Sequence, residues 1–146
     1  MRQNLEQGNL PYPLVFLAPE FRDFGRKWWQ TKTKELHREF GMEVVAKSVL
    51  NVTFFPYVSR GFGHQKLRVP SQEYNFYLVR QAIARGAVII HFRRDDIWLD
   101  AIPELNRYQL RLKVKNTQNP HITVGSLGEG FKKVRAAIAA AATAGS

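Results

Sequence analysis

The chain has 146 residues, 45% hydrophobic and 23% charged, which suits one globular domain with a single core. No stretch approaches the roughly 17–25 apolar residues of a membrane-crossing helix, residues 1–7 lack the apolar run of a secretory signal, and the absence of cysteine excludes disulfides and thiolate metal sites and fits a cytoplasmic setting. Twenty-two Lys and Arg against 12 Asp and Glu give a net charge of +10; such a field favours a polyanionic partner, nucleic acid first, over the blander alternative of a well-solvated basic protein.

Residues 1–13 are polar with Gly and Pro and read as irregular. Leu14-Val15-Phe16-Leu17, closed by Pro19, reads as a strand or an extended stretch over a core. A helix is predicted over 26–40, where Trp28, Trp29, Lys32, Leu36 and Phe40 recur at spacings of three and four before Gly41. A helical turn is expected at 44–47. Residues 49–55 are β-rich, end at Pro56, and read as a buried strand. The segment 57–70 is long for a plain connection; Gly61 and Gly63 free its backbone, and Arg60, His64, Lys66 and Arg68 make it basic. Ser71 is expected to cap a helix with Glu73 in its first turn and Phe76, Val79 and Ile83 inward, ending at Gly86.

Residues 87–92 are a buried-strand run, and Asp95 or Asp96 is expected to cap a short helix ending before Pro103. Residues 109–115 alternate, with Leu110, Leu112 and Val114 on one face, as in an edge strand with one buried side. After the loop 116–128 comes a last helix with Phe131, Val134 and Ile138 inward and an Ala-rich tail expected to fray. Strands alternating with helices predict an α/β fold: a single domain, a parallel sheet, helices on its faces.

In an open parallel sheet, ligands bind beyond the carboxyl ends of the strands. That rule gathers three segments on one rim: Pro56, Tyr57, Ser59, Arg60 and His64; Arg93, Arg94 and Asp95; and Asn116, Asn119, His121, Thr123 and Ser126. Gly125 and Gly128 let N–H groups approach a ligand, and the helix beginning beyond them suits a phosphate; equally, all of these are ordinary turn formers. His64 and His121 read either as catalytic groups or as solvated loop histidines, and His91 as a hydrogen-bonded core histidine. Trp28 and Trp29 read as packing residues, one of them a candidate platform for a base. No metal-ligand spacing, phosphate-binding glycine loop or nucleophile motif occurs, so neither metal nor cofactor is expected.

The order Phe55-Pro56-Tyr57-Val58-Ser59, then Val69-Pro70-Ser71-Gln72-Glu73-Tyr74, then a strand with Arg93 and Trp98 close behind, then Asn119-Pro120-His121-Ile122, resembles the uracil-DNA glycosylase superfamily. The likeness is greatest to its bacterial and phage branch and runs from about residue 11 to 134. It implies a three-layer α/β/α sandwich around a short, mainly parallel sheet, and an enzyme that flips a damaged base and hydrolyses its N-glycosidic bond. The loop of Asn119, Pro120 and His121 then corresponds to the family's second motif, which supports the leaving base and wedges into DNA. Asn119 and His121 become the catalytic candidates, His121 stabilising negative charge on the departing base. Arg60, Lys66, Arg93 and Arg94 become phosphate contacts, Tyr57 and His64 pocket walls, and Ser59, Pro120, Thr123 and Ser126 further DNA-binding positions.

The chain also departs from the family. Val58 stands where this branch carries histidine, and Thr123-Val124-Gly125-Ser126 stands in place of a Ser-Pro-Gly-Asn-like run. The water-positioning first motif, of the type Leu-Asn-Pro-Gly, is not found, and Leu17-Ala18-Pro19-Glu20 is not assigned that role. The chain is therefore expected to be N-terminally incomplete relative to the family and to lack its first strand. Two strands then lose a shared neighbour. A rearranged sheet, Leu14–Leu17 filling the gap, or a homo-oligomer joined at the open edge would each restore the missing partners. Three functions stay open: a DNA glycosylase, a non-catalytic nucleic-acid-binding protein of the same fold, and an assembly protein.

Overall fold

The computed structural model describes residues 11–55 and 67–145. In chain order they form a 3-10 turn at Val15–Leu17, then α1 (Phe24–Lys32), α2 (Lys34–Phe40), α3 (Met42–Ser48), α4 (Gln72–Ala84), β1 (Ile89–His91) and α5 (Asp95–Ala101). A second 3-10 turn at Pro103–Arg107, β2 (Arg111–Lys113), α6 (Val124–Leu127) and α7 (Gly130–Ala144) follow. β1 and β2 pair in parallel, with Ile89 opposite Arg111, Ile90 opposite Leu112 and His91 opposite Lys113. Helices with a short parallel sheet make this a mixed α/β chain, as the alternating pattern predicts. It divides into two compact units, residues 1–51 with 120–146, and residues 52–119.

The first unit is helical. Asp23 caps α1, its Oδ1 accepting from Gly25 N at 2.7 Å. The single helix predicted over 26–40 is instead two. Buried Thr33 donates its hydroxyl to Trp29 O (2.7 Å), so the same oxygen accepts from His37 Nε2 (2.8 Å). This back-bonding to the preceding turn bends helices, and here it separates α1 from α2. Gly41, at φ 82°, ends α2 in a conformation that glycine tolerates best. α3 packs against the first 3-10 turn, α2 and α7, burying Val45 and Ala46 with Leu17, Leu36, Phe131, Val134 and Ile138. Leu14–Leu17 forms no strand: Leu14 N donates to Ala46 O (3.0 Å), and Leu17 N turns back to Leu14 O. The tail predicted to fray stays helical to Ala144, since alanine has the highest helix propensity.

The second unit is built on Phe54, Phe76, Val79, Ile97, Ile102 and Leu105, with Trp98 edge-on to Phe54 at 5.0 Å. The buried strand predicted over 49–55 does not form. Leu50 is 45% exposed, and further on the carbonyls meet amide side chains of α4 in place of a ladder. Asn75 Nδ2 donates to Thr53 O (2.7 Å) and Gln72 Nε2 to Phe54 O (3.2 Å). Buried Gln72 also accepts from Val69 N (2.8 Å), so it organises the start of α4, while Ser71 occupies the cap position without a side-chain bond. Tyr108 OH donates to Ala87 O (2.6 Å) and so ties the entry of β1 to the turn before β2.

Candidate functional site

Parallel pairing puts the carboxyl ends of β1 and β2 side by side, so the chain segments leaving them meet within the second unit. Arg93 follows β1. Its Nε donates to Thr117 O (2.9 Å) and its Nη2 to Gln118 O (3.0 Å). Asn116 folds the same stretch from the other side, its Oδ1 accepting from Gln118 N and Asn119 N at 3.0 Å each. One edge of the Arg93 guanidinium therefore holds the loop that presents exposed Asn119. Arg94 sits at φ 50°, in the left-handed region, and closes a two-point pair with Asp96: Nε to Oδ1 at 2.9 Å, Nη2 to Oδ2 at 2.7 Å. That pair raises the Arg94 pKa and lowers that of Asp96, each mainly through the hydrogen bond. Neither Asp95 nor Asp96 is the expected cap, because Arg94 holds that position; both lie in the first turn of α5, where negative charge suits the helix dipole. Arg93, Arg94, Thr117 and Gln118 line an open groove of about 430 Å³.

Behind this rim lies His91, only 6% exposed. Burial first, then the nearby Arg111 charge, pushes its pKa down to about 4; the Asp95 carboxylate opposes them and Lys113 adds to them. Asp95 itself pairs with Lys113 at 3.0 Å, and that bond lowers its own pKa. The expected core histidine is buried, but its Nδ1 lacks a hydrogen-bond partner among the described residues.

The loop continues into the first unit at Pro120. Pro120 is fully buried, and Ile122 N donates to Lys32 O (2.9 Å) at the end of α1. Lys32 is 6% exposed; its Nζ lies 3.4 Å from His121 Nε2 and 5.1 Å from the centre of the Trp28 ring. An ammonium only donates, so His121 Nε2 accepts and the ring proton rests on Nδ1. Lys32 is the residue that the motif reading passed over. Its signal was a lysine standing at an inward position of an otherwise apolar stripe.

The rest of the loop is engaged in its own folding. Thr123 Oγ1 accepts from Ser126 N (3.1 Å), and Glu35 Oε2 accepts from Val124 N (2.9 Å). Of the two glycines expected to let N–H groups approach a phosphate, Gly128 donates its own N–H to Val124 O (2.8 Å), and Ser126 Oγ is buried without a partner among the described residues. Gly128, at φ 57°, ends α6. Tyr57, Ser59, Arg60, His64 and Lys66 lie outside the described residues. Comparison with family models, curated proteins and solved structures finds no match for this chain.

Proposed function

We propose that this chain is a DNA-binding protein of the uracil-DNA glycosylase type, with a three-layer α/β/α arrangement and an anion-stabilising pair made by Lys32 and His121. The buried lysine held against His121 carries the reading. It places a positive charge behind a ring whose Nδ1–H is the donor, and preorganised donors of this kind stabilise developing anions. The net charge of +10 supplies the long-range attraction to a polyanion. In base excision, the C1′–N bond breaks with its electron pair passing to the base, and a water oxygen bonds to C1′ as one of its O–H bonds breaks and the proton passes to solvent. His121, backed by Lys32, would donate to the departing base.

Binding is tested with single- and double-stranded oligonucleotides under salt titration. Four phosphate contacts predict about a 100-fold loss of affinity between 50 and 200 mM salt. Lys32→Met fills the same buried space without charge, and it should weaken binding while the helical circular dichroism is retained. Oligonucleotides carrying uracil or other lesions, assayed for abasic sites, test the hydrolysis. Absence of any DNA binding at low salt would refute the proposal; binding without cleavage of any lesion would leave a non-catalytic member of the same fold.

A second reading, assembly through the sheet, draws on one observation. Among the described residues β1 and β2 pair only with each other, and their apolar residues Ile89, Ile90 and Leu112 are half-buried. Such short two-stranded sheets gain from further pairing. A monomeric mass in light scattering at high concentration would remove this reading.

A further inference from the structure

We infer that the outer face of α1 is a separate contact surface for single-stranded nucleic acid, where a base stacks on Phe24 and the backbone is held by Arg22 and Lys27. The inference rests on the nucleic-acid reading above but uses no residue of the 116–128 loop. Pro19, Arg22, Asp23, Arg26, Lys27 and Gln30 line an open groove of about 620 Å³, within the size range of ligand clefts. Arg26 is committed to the fold. Its Nη1 donates to the carbonyls of Leu17, Ala18 and Phe21, and its Nη2 reaches Met42 Sδ at 3.1 Å. Arg22 and Lys27 are exposed, and neither makes a side-chain hydrogen bond or ion pair among the described residues. Asp23 is the groove's carboxylate; its Oδ1 accepts from Gly25 N and closes the start of α1 (2.7 Å), and its remaining negative charge is outnumbered by the groove's cations. The attraction to a phosphate therefore comes from the two side-chain cations, not from the helix end.

Phe24 is 81% exposed, the most exposed large apolar side chain among the described residues. It lies three residues before Lys27 and four before half-buried Trp28, so all three share one face of α1. Phe24 stands outside the groove lining, two residues after Arg22 and one helical turn before Lys27; an exposed aromatic ring and uncommitted cations on one short stretch of chain can bind single strands without sequence preference, by stacking for the bases and charge for the backbone. A duplex keeps its bases stacked on one another and has none to offer the ring, so this surface prefers single strands.

The test compares labelled (dT)12, the same strand with abasic positions, and a duplex of equal length. Wild type is expected to bind (dT)12 most tightly. Phe24→Ala should weaken (dT)12 about 10-fold and leave the abasic strand unchanged, and Phe24→Trp should restore binding. The double variant Arg22→Ala, Lys27→Ala should weaken both strands and flatten the salt slope by about 0.7 for each phosphate no longer neutralised. All three positions are exposed, and circular dichroism with thermal melting verifies that the variants fold. If these variants bind like wild type while Lys32→Met binds less well, this inference falls and the proposed function stands. If wild type binds no strand at low salt, both fall.

Discussion

Acid should loosen the second unit chiefly through His91. Its pKa of about 4 in the fold lies below the ordinary value near 6.5 in an unfolded chain. The fold therefore favours the neutral ring. The stability this provides is complete above pH 6.5 and is lost as pH falls, because the unfolded chain takes up a proton that the folded chain resists. The loss is about 2 kcal/mol at pH 5 and levels off near 3 kcal/mol below pH 4, at 1.36 kcal/mol per pH unit. With 6% of the residue exposed, solvent screens little of this. Urea titrations between pH 7.5 and 4.5, followed by Trp98 fluorescence, measure it; Trp98 is the sole tryptophan of residues 52–119. Asp95 and Asp96 also lose their pairs in acid, so the quantity to read is wild type minus His91→Leu. Leucine removes both the titration and the unpartnered Nδ1, and should abolish most of the slope between pH 7 and 5. An equal slope in the two proteins, or a His91 ring titrating near 6.5 by NMR, would refute the reasoning.

Gln72→Ala removes a buried amide that serves Val69 N and Phe54 O at once; chemical denaturation should show a loss of about 2–3 kcal/mol, since both backbone groups are left unpaired. Gly25→Ala would place a Cβ 2.7 Å from Phe16 Cδ1, so thermal melting should report about 1–3 kcal/mol of overpacking, relieved when Phe16→Leu is added. Thr123→Ala deletes the acceptor for Ser126 N and should lose about 1 kcal/mol, as N-caps do, while Thr123→Ser keeps most of it. Stability equal to wild type in any of these would show that the interaction removed contributes nothing.

Where a residue answers only to burial, its place was readable in advance. Phe76 and Val79 on α4, Phe131, Val134 and Ile138 on α7, and the apolar run that contains β1 all sit where their spacing puts them. Spacing records which side faces inward, and the hydrophobic effect enforces that whatever the partner is. It was silent where a polar group chooses among partners. The split at Thr33 depends on a hydroxyl that finds Trp29 O and the ring of His37. Residues 49–55 have strand composition, yet amides of α4 took the carbonyls of Thr53 and Phe54.

The candidate site divides in the same way. Sequence by itself determined that this is a basic α/β chain whose polar loop at Asn119 and His121 follows a strand, because charge and periodicity are properties of residues taken singly or in local order. Only the tertiary structure decided which polar groups meet: Arg94 closing on Asp96, Arg93 clasping Thr117 and Gln118, Glu35 occupying Val124 N, and Lys32 standing behind His121. These pairings join residues up to 89 positions apart, and a hydrogen bond depends on ångström-scale distance and angle that local pattern does not carry.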